Sequence, residues 1–176
     1  MQKLQGKNIV IGITGGIAVY KVCTIVRGFK KLGANVDVIM TDNACQFVAP
    51  LSFETLSNNA VVTDTFKRVD EFDVKHVSLA KKADLFLVAP ATANVIGKFA
   101  RGIADDMLST TYMASKAPKV VCPAMNTNMY ESEAVQQNIN ILKDRGVTII
   151  DSVEGRLACG DVGKGKMAEP IDIVRI

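Results

Sequence analysis

Hydrophobic positions along the chain alternate between two periodicities. Ile9-Val10-Ile11-Gly12-Ile13-Thr14 is a continuous apolar, β-branched run that ends at Gly15-Gly16 and predicts a buried strand. Behind it Val22, Ile25, Val26, Phe29 and Leu32 recur at helical spacing, and Gly33 is placed to end that helix. Val36 to Met40 predicts a second strand, Asp84-Leu85-Phe86-Leu87-Val88-Ala89 a third, and Lys119-Val120-Val121-Cys122 a fourth. Val135, Ile139 and Leu142 mark one face of a helix that Gly146 closes, and Val147-Thr148-Ile149-Ile150 predicts a fifth strand. Residues 50–78 read as a short helix mixed with loop. Apolar strands separated by helices imply an α/β fold in three layers, a flavodoxin/Rossmann-like parallel sheet with helices on both faces. Ligands bind such sheets beyond the carboxyl ends of the strands. Function is therefore expected at 14–18, 41–47, 89–95, 122–129 and in the tail from 151, all within a single domain, 1–176.

Composition narrows the classes. Among 176 residues, 48% are hydrophobic and 22% charged, which excludes disorder by composition. No apolar run approaches the ~18 residues of a membrane span. The start, Met1-Gln2-Lys3-Leu4-Gln5-Gly6-Lys7, lacks the apolar core of a signal peptide, so a cytoplasmic location is expected, with no membrane partner. A net charge of +3 is too balanced to imply nucleic acid. The cysteines at 23, 45, 122 and 159 form no C-x-x-C and fit neither a zinc site nor a disulfide framework, so no metal is expected. His76 is the one histidine, so a reaction needing a base that titrates near neutrality has His76 or a perturbed group.

Four loops could carry chemistry, each with a plainer alternative. Thr14-Gly15-Gly16-Ile17-Ala18 joins a strand to a helix, where free N–H groups form an anion site suited to phosphate. It is neither G-x-G-x-x-G nor a P-loop, and a turn needing small residues would look the same. Asp42 stands where a dinucleotide fold would hold a ribose. In Ala89-Pro90-Ala91-Thr92-Ala93-Asn94, small residues admit a flat ligand, while Thr92 and Asn94 offer hydrogen bonds or merely cap the next helix. Pro123-Ala124-Met125-Asn126-Thr127-Asn128-Met129-Tyr130 could line a half-apolar pocket, or be a helix entry with core methionines. Ala158-Cys159-Gly160-Asp161-Val162-Gly163-Lys164-Gly165-Lys166-Met167 reads as a glycine-rich flexible flap, about 152–168, or an ordinary surface loop. Its cysteine fits core filling less well than Cys23 or Cys122, which sit in apolar periodic runs. A lone histidine such as His76 is more often structural or exposed than catalytic.

Together these segments carry more than any one of them. Gly15-Gly16-Ile17-Ala18-Val19-Tyr20-Lys21, the stretch around His76, Pro90-Ala91-Thr92-Ala93-Asn94, Pro123-Ala124-Met125-Asn126-x-x-Met129-Tyr130 and Ala158-Cys159-Gly160-Asp161 occur in the order and spacing of one family. Over essentially its whole length the chain resembles the homo-oligomeric flavin-containing cysteine decarboxylases. Within them it is similar to the bacterial branch in which such a domain leads into a CTP-dependent ligase domain. The resemblance implies FMN-dependent decarboxylation of 4′-phospho-N-pantothenoylcysteine to 4′-phosphopantetheine in coenzyme A biosynthesis. The substrate thiol would be oxidised to a thioaldehyde, carbon dioxide lost to give an enethiol, and the enethiol protonated and reduced by the same flavin.

The same resemblance distributes roles. Gly15, Gly16 and Thr41 would hold the FMN phosphate, Ile17 would also contact the cofactor, and Pro90, Thr92, Asn94 and Ala124 would lie along the flavin. Asn126 would bind the substrate carboxylate, with Met125 and Ala158 beside the substrate. His76 would act as base and Cys159 as acid on the closing flap, while Lys164 and Lys166 would face the substrate phosphate. Trimers or dodecamers are implied, with FMN near the subunit interface. No ligase domain is expected in residues 1–176. Three other readings compete: a flavin prenyltransferase of the same fold, a non-catalytic flavin-binding regulatory subunit, and a nicotinamide-binding protein resting on Asp42 alone.

Overall fold

A computed structural model describes residues 3–66, 74–158 and 160–175. In chain order the elements are β1 (Asn8–Ile13), α1 (Val19–Lys31), β2 (Asn35–Met40), α2 (Asp42–Cys45), α3 (Pro50–Ser57), α4 (Lys75–Lys82), β3 (Leu85–Ala91) and α5 (Ala93–Arg101). Then follow α6 (Met107–Ala114), β4 (Lys119–Pro123), α7 (Thr127–Glu131), α8 (Glu133–Asp144), β5 (Thr148–Ile149), β6 (Val153–Arg156), β7 (Val162–Lys166) and α9 (Pro170–Val174). The first five strands form one parallel sheet in the order β2-β1-β3-β4-β5, and β6 and β7 pair as an antiparallel hairpin. This is the doubly wound, flavodoxin-like arrangement.

The pleat sorts β1 between two cores. Ile9, Ile11 and Ile13 pack with the apolar stripe of α1 (Val22, Ile25, Val26, Phe29), Phe53 of α3 and Ile173 of α9. Val10 points the other way, with Phe86 and Val88, into a core closed by α4, α5, α6, α7 and α8. Burial on both faces is why the central strands read as unbroken apolar runs. Gly12 lies against Leu108, whose side chain occupies the space a Cβ would need. The predicted helix ends hold: Gly33 and Gly146 carry positive φ just past α1 and α8.

Three regions differ from the sequence expectation. The helix that Thr92 or Asn94 could cap is α5, a further helix α6 that the pattern does not predict follows it, and the fifth strand shrinks to Thr148–Ile149. The glycine-rich tail is a paired hairpin. Its tip is closed by Leu157 N–H to the Asp161 carbonyl (2.8 Å). Its second strand is tied to the loop after β4 by Met125 N–H to the Gly165 carbonyl (2.9 Å). Gly165 has φ +124°, and a Cβ there would run into the Met125 carbonyl oxygen. Gly163 likewise presses on Thr127. These two glycines serve close docking of the hairpin.

Candidate active site

The sheet order reverses direction between β1 and β3, and the loops leaving those two strands open a crevice between them. Thr14 holds the crevice to its shape. Its N–H and hydroxyl both donate to the Pro90 carbonyl (3.3 and 2.7 Å), and its Oγ1 accepts from Thr92 N–H (3.0 Å). The Ala89–Pro90 peptide is cis, and Pro90 is buried beneath Gly16. Gly15 is pinned from the other side, because a Cβ there would overlap Asn43 of α2. Helix α1 begins directly after this loop with no capping side chain and no acidic residue in its first turn. Its N-terminus is therefore left positive toward the crevice.

Two cavities flank the loops. The larger, about 610 Å³, runs from Gly16, Ile17, Tyr20 and Lys21 at the start of α1 across Ala124, Met125, Asn126 and Met129 to Arg156, Leu157, Ala158 and Lys166 of the hairpin. The smaller, about 520 Å³, is bounded by Thr41, Asp42, Asn43, Asn94, Lys98 and Asp106. Gly15, Thr92, Ala93 and Met129 line both. Large apolar side chains stand open around the larger cavity: Ile17, Tyr20 and Met129 are about half exposed. In the smaller one, burial opposes the charge of Lys98, but hydrogen bonds and ion pairs from Asp105 and Asp106 outweigh it and hold its pKa above the ordinary value. Its cation is thus already matched by acids.

Three of the expected ligand-binding side chains also cap helices. Thr41 Oγ1 accepts from Ala44 N–H, Thr92 Oγ1 from Val95 N–H, and Asn126 Oδ1 from Asn128 N–H (2.9 Å). For Asn126 the cap fixes the amide. With Oδ1 taken, Nδ2 is presented as a donor, and it reaches Asp161 Oδ2 of the hairpin tip at 3.4 Å.

Gly15, Gly16, Ile17, Thr92, Ala124, Met125, Asn126, Ala158 and Lys166 line the larger cavity, and Thr41 and Asn94 the smaller. Lys164 lines neither; it stands exposed opposite Glu154, because the left-handed backbone at Gly165 breaks the alternation that would align it with Lys166. His76 also lines neither; it is half-buried in the first turn of α4. Cys159 lies outside the described residues. Of the other cysteines, burial pushes the Cys122 thiol up to about 12, and burial also raises Cys23 and Cys45. All three are poor proton donors and nucleophiles at neutral pH. Sequence reasoning missed Thr14 as the stitch between the loops, and gave no role to Arg156 or Lys21. Lys21 sits one helical turn beyond Ile17, a spacing that could have flagged it.

A doubly wound sheet whose switch-point crevice joins an uncapped helix start to small-residue loops and an apolar wall is the architecture of a flavin-binding α/β protein. The chain belongs to the Flavoprotein family, whose model matches residues 1–176. It is 51% identical over 173 residues to the coenzyme A biosynthesis bifunctional protein CoaBC of Bacillus subtilis (strain 168), covering 98% of this chain and 43% of that protein. The chain thus spans less than half the length of the curated relatives it matches. Among solved structures it is similar to a cysteine-to-serine mutant of PPC decarboxylase complexed with pantothenoylaminoethenethiol: TM-score 0.85, 29% identity, 96% of this chain and 94% of that one. It is also similar to the FMN-binding protein AtHal3, with TM-score 0.83 and 29% identity over 97% of this chain and 94% of that one.

Proposed function

We propose that the chain is an FMN-dependent decarboxylase of 4′-phospho-N-pantothenoylcysteine, forming 4′-phosphopantetheine for coenzyme A biosynthesis in the cytoplasm. The observation that carries this reading is Asn126, a side-chain amide locked by its own cap as a donor beside an apolar wall. That arrangement suits the carboxylate of a small thiol acid. Whole-chain similarity to CoaBC and to PPC decarboxylase supports the choice of acid.

The crevice residues fit FMN. Gly15 admits no side chain, Ala93 and Ala124 keep the walls close for a flat ring, and Thr41, Asn43, Thr63 and Asn94 offer hydroxyl and amide groups to a polyhydroxyl chain. On this reading Gly15, Gly16, Ile17 and Thr41 hold the cofactor phosphate, while Pro90, Thr92, Asn94 and Ala124 flank the ring. When bound, FMN supplies the electron sink that a cysteine carboxylate lacks. In the net reaction the bond from Cα to the carboxyl carbon breaks, carbon dioxide leaves, a proton takes its place on Cα, and no electrons are gained or lost.

Asn126 Nδ2 donates to the departing carboxylate and Met125 and Leu157 exclude water around it. His76 accepts the substrate thiol proton on its imidazole, and Cys159 donates the proton that reaches carbon. Since His76 lines neither cavity of its own chain, this reading includes self-association, as trimers or higher assemblies, that brings the histidine of one copy to the crevice of another. Ligase activity is assigned to no residue of 1–176.

The test pairs a visible spectrum of the purified protein with mass spectrometry of the product. A flavin spectrum and loss of carbon dioxide without loss of hydrogen are expected. The Cys159→Ser variant should instead accumulate a product two hydrogens poorer, the enethiol. Colourless protein, or substrate returned unchanged, overturns the reading.

A further inference from the structure

Among the described residues, one carboxylate holds two lysines. Lys21 Nζ of α1 and Lys166 Nζ at the end of β7 both lie 3.1 Å from the same oxygen, Oε1 of Glu169, which precedes α9. Both lysines line the larger cavity, and Arg156 joins them there from β6. Hydrogen bonds from Lys166 and Lys21 hold the Glu169 carboxyl below the ordinary range, so it is ionised at neutral pH. The other lysine–carboxylate pairs among the described residues, Lys7–Asp84, Lys82–Asp37 and Lys143–Asp151, are one to one, and Lys98 has two acids to itself.

Two ammonium groups on one oxygen repel each other at close range, an arrangement that costs stability unless an anion shares it. Lys21 in particular has only 14% of its side chain exposed, so its charge has few waters to lean on. Each ammonium has three N–H donors and gives one to Glu169, leaving the rest for a ligand. Two ammonium groups against one carboxylate leave a net positive charge in the cavity wall, with the Arg156 cation lining the same cavity, and this suits an anionic phosphate monoester.

We propose that Lys21 and Lys166, gathered by Glu169, form a phosphate-monoester subsite in the wall of the larger cavity. This rests on the decarboxylase reading, under which the monoester is that of the substrate, while the cofactor phosphate sits on the Gly15–Gly16 loop. Glu169 is a positioning residue. It ties α1 to the hairpin strand and keeps the two ammonium groups side by side, so the hairpin's docking and the recognition of phosphate are one structure.

The experiment compares kcat/KM for phosphopantothenoylcysteine and for the same molecule without its phosphate, alongside FMN content per chain from visible absorbance, for wild type, Lys21→Met, Lys166→Met, Lys21→Arg and Glu169→Gln. Each lysine-to-methionine change should lower the phosphorylated-to-dephosphorylated ratio about ten- to a hundredfold, the range of a lost charged hydrogen bond. Lys21→Arg should keep most of the ratio. Glu169→Gln should lower it less than the methionine changes, mainly through KM, which a merely structural role would not single out. A lowered ratio with FMN retained assigns the subsite to the substrate. Loss of FMN in the lysine variants assigns it to the cofactor phosphate and still supports a monoester subsite. If both ratio and FMN content stay at wild-type values in both methionine variants, the subsite is wrong. Wild-type protein that decarboxylates neither compound overturns the functional reading instead.

Discussion

On the proposed reading Asn126 combines two jobs in one side chain, and substitutions can separate them. Its Oδ1 caps α7, while its Nδ2 is the donor assigned to the substrate carboxylate. Asn126→Asp keeps an oxygen for the cap but replaces the donor with a second carboxylate facing the first. The new carboxylate also meets Asp161 Oδ2, which the amide now touches at 3.4 Å, so stability should fall by up to about 1 kcal/mol, while kcat/KM falls roughly a hundredfold. Asn126→Ala removes both functions and should also cost about 1 kcal/mol of stability. Thermal melts and steady-state rates on the same preparations check this. An aspartate variant that keeps its rate would mean that the amide does not serve the carboxylate and that the cap is the residue's whole purpose. The same duality explains why Thr92 was ambiguous in the sequence, and it extends to Thr41 and Asn126. Capping and ligand binding call for the same residue types at the same strand-to-helix junctions, and the structure shows the caps to be real at all three.

Among the elements, the hairpin of β6 and β7 makes the sharpest contrast with its sequence. Glycines at 160, 163 and 165 suggest mobility, since residue type alone does not reveal that a backbone neighbour is pressing on the chain. In the fold, Gly165 is required by a positive φ and by the Met125 carbonyl against it, whereas Gly155 faces only Lys166 Cδ at 3.4 Å. Gly165→Ala should therefore release the hairpin, costing roughly 1–3 kcal/mol locally. Tryptic cleavage at Arg156 and Lys164 should become faster while the sheet stays folded. Gly155→Ala should leave both unchanged. Equal cleavage of the two variants would show that the 125–165 contact is not what holds the hairpin down. The central strands and α1 were legible because burial on both faces, or on one stripe, writes a strong period into the sequence. Helix α6 was not: Met107, Leu108, Ser109, Thr111 and Tyr112 are all buried, so it has no polar face to set a period.

At the scale of the whole molecule, the crevice and the hairpin assemble within one chain but the candidate base does not join them. Helix α4 runs back toward the start of β3, which puts its first turn, and His76 with it, at the same end of the sheet as the crevice. It packs on α6, on the face of the sheet away from α1 and α9, and the larger cavity is built largely on the opposite side. The expected site residues that the structure describes thus divide into a set that lines the two cavities and three that line neither: the buried Pro90, the exposed Lys164, and His76 on the far side of the sheet. If a second copy supplies the histidine, the two sets can be broken separately and recombined. His76→Asn alone and Asn126→Asp alone should each be nearly inactive. Oligomers formed by co-expressing the two variants contain some interfaces that pair an intact His76 with an intact Asn126, and these should recover a fraction of wild-type decarboxylation, on the order of a quarter if chains mix at random. Separately purified variants that are not allowed to exchange should recover none. Mixed oligomers, verified by two affinity tags, that stay as inactive as their parents would place the base and the carboxylate donor in the same chain and rule out a shared site.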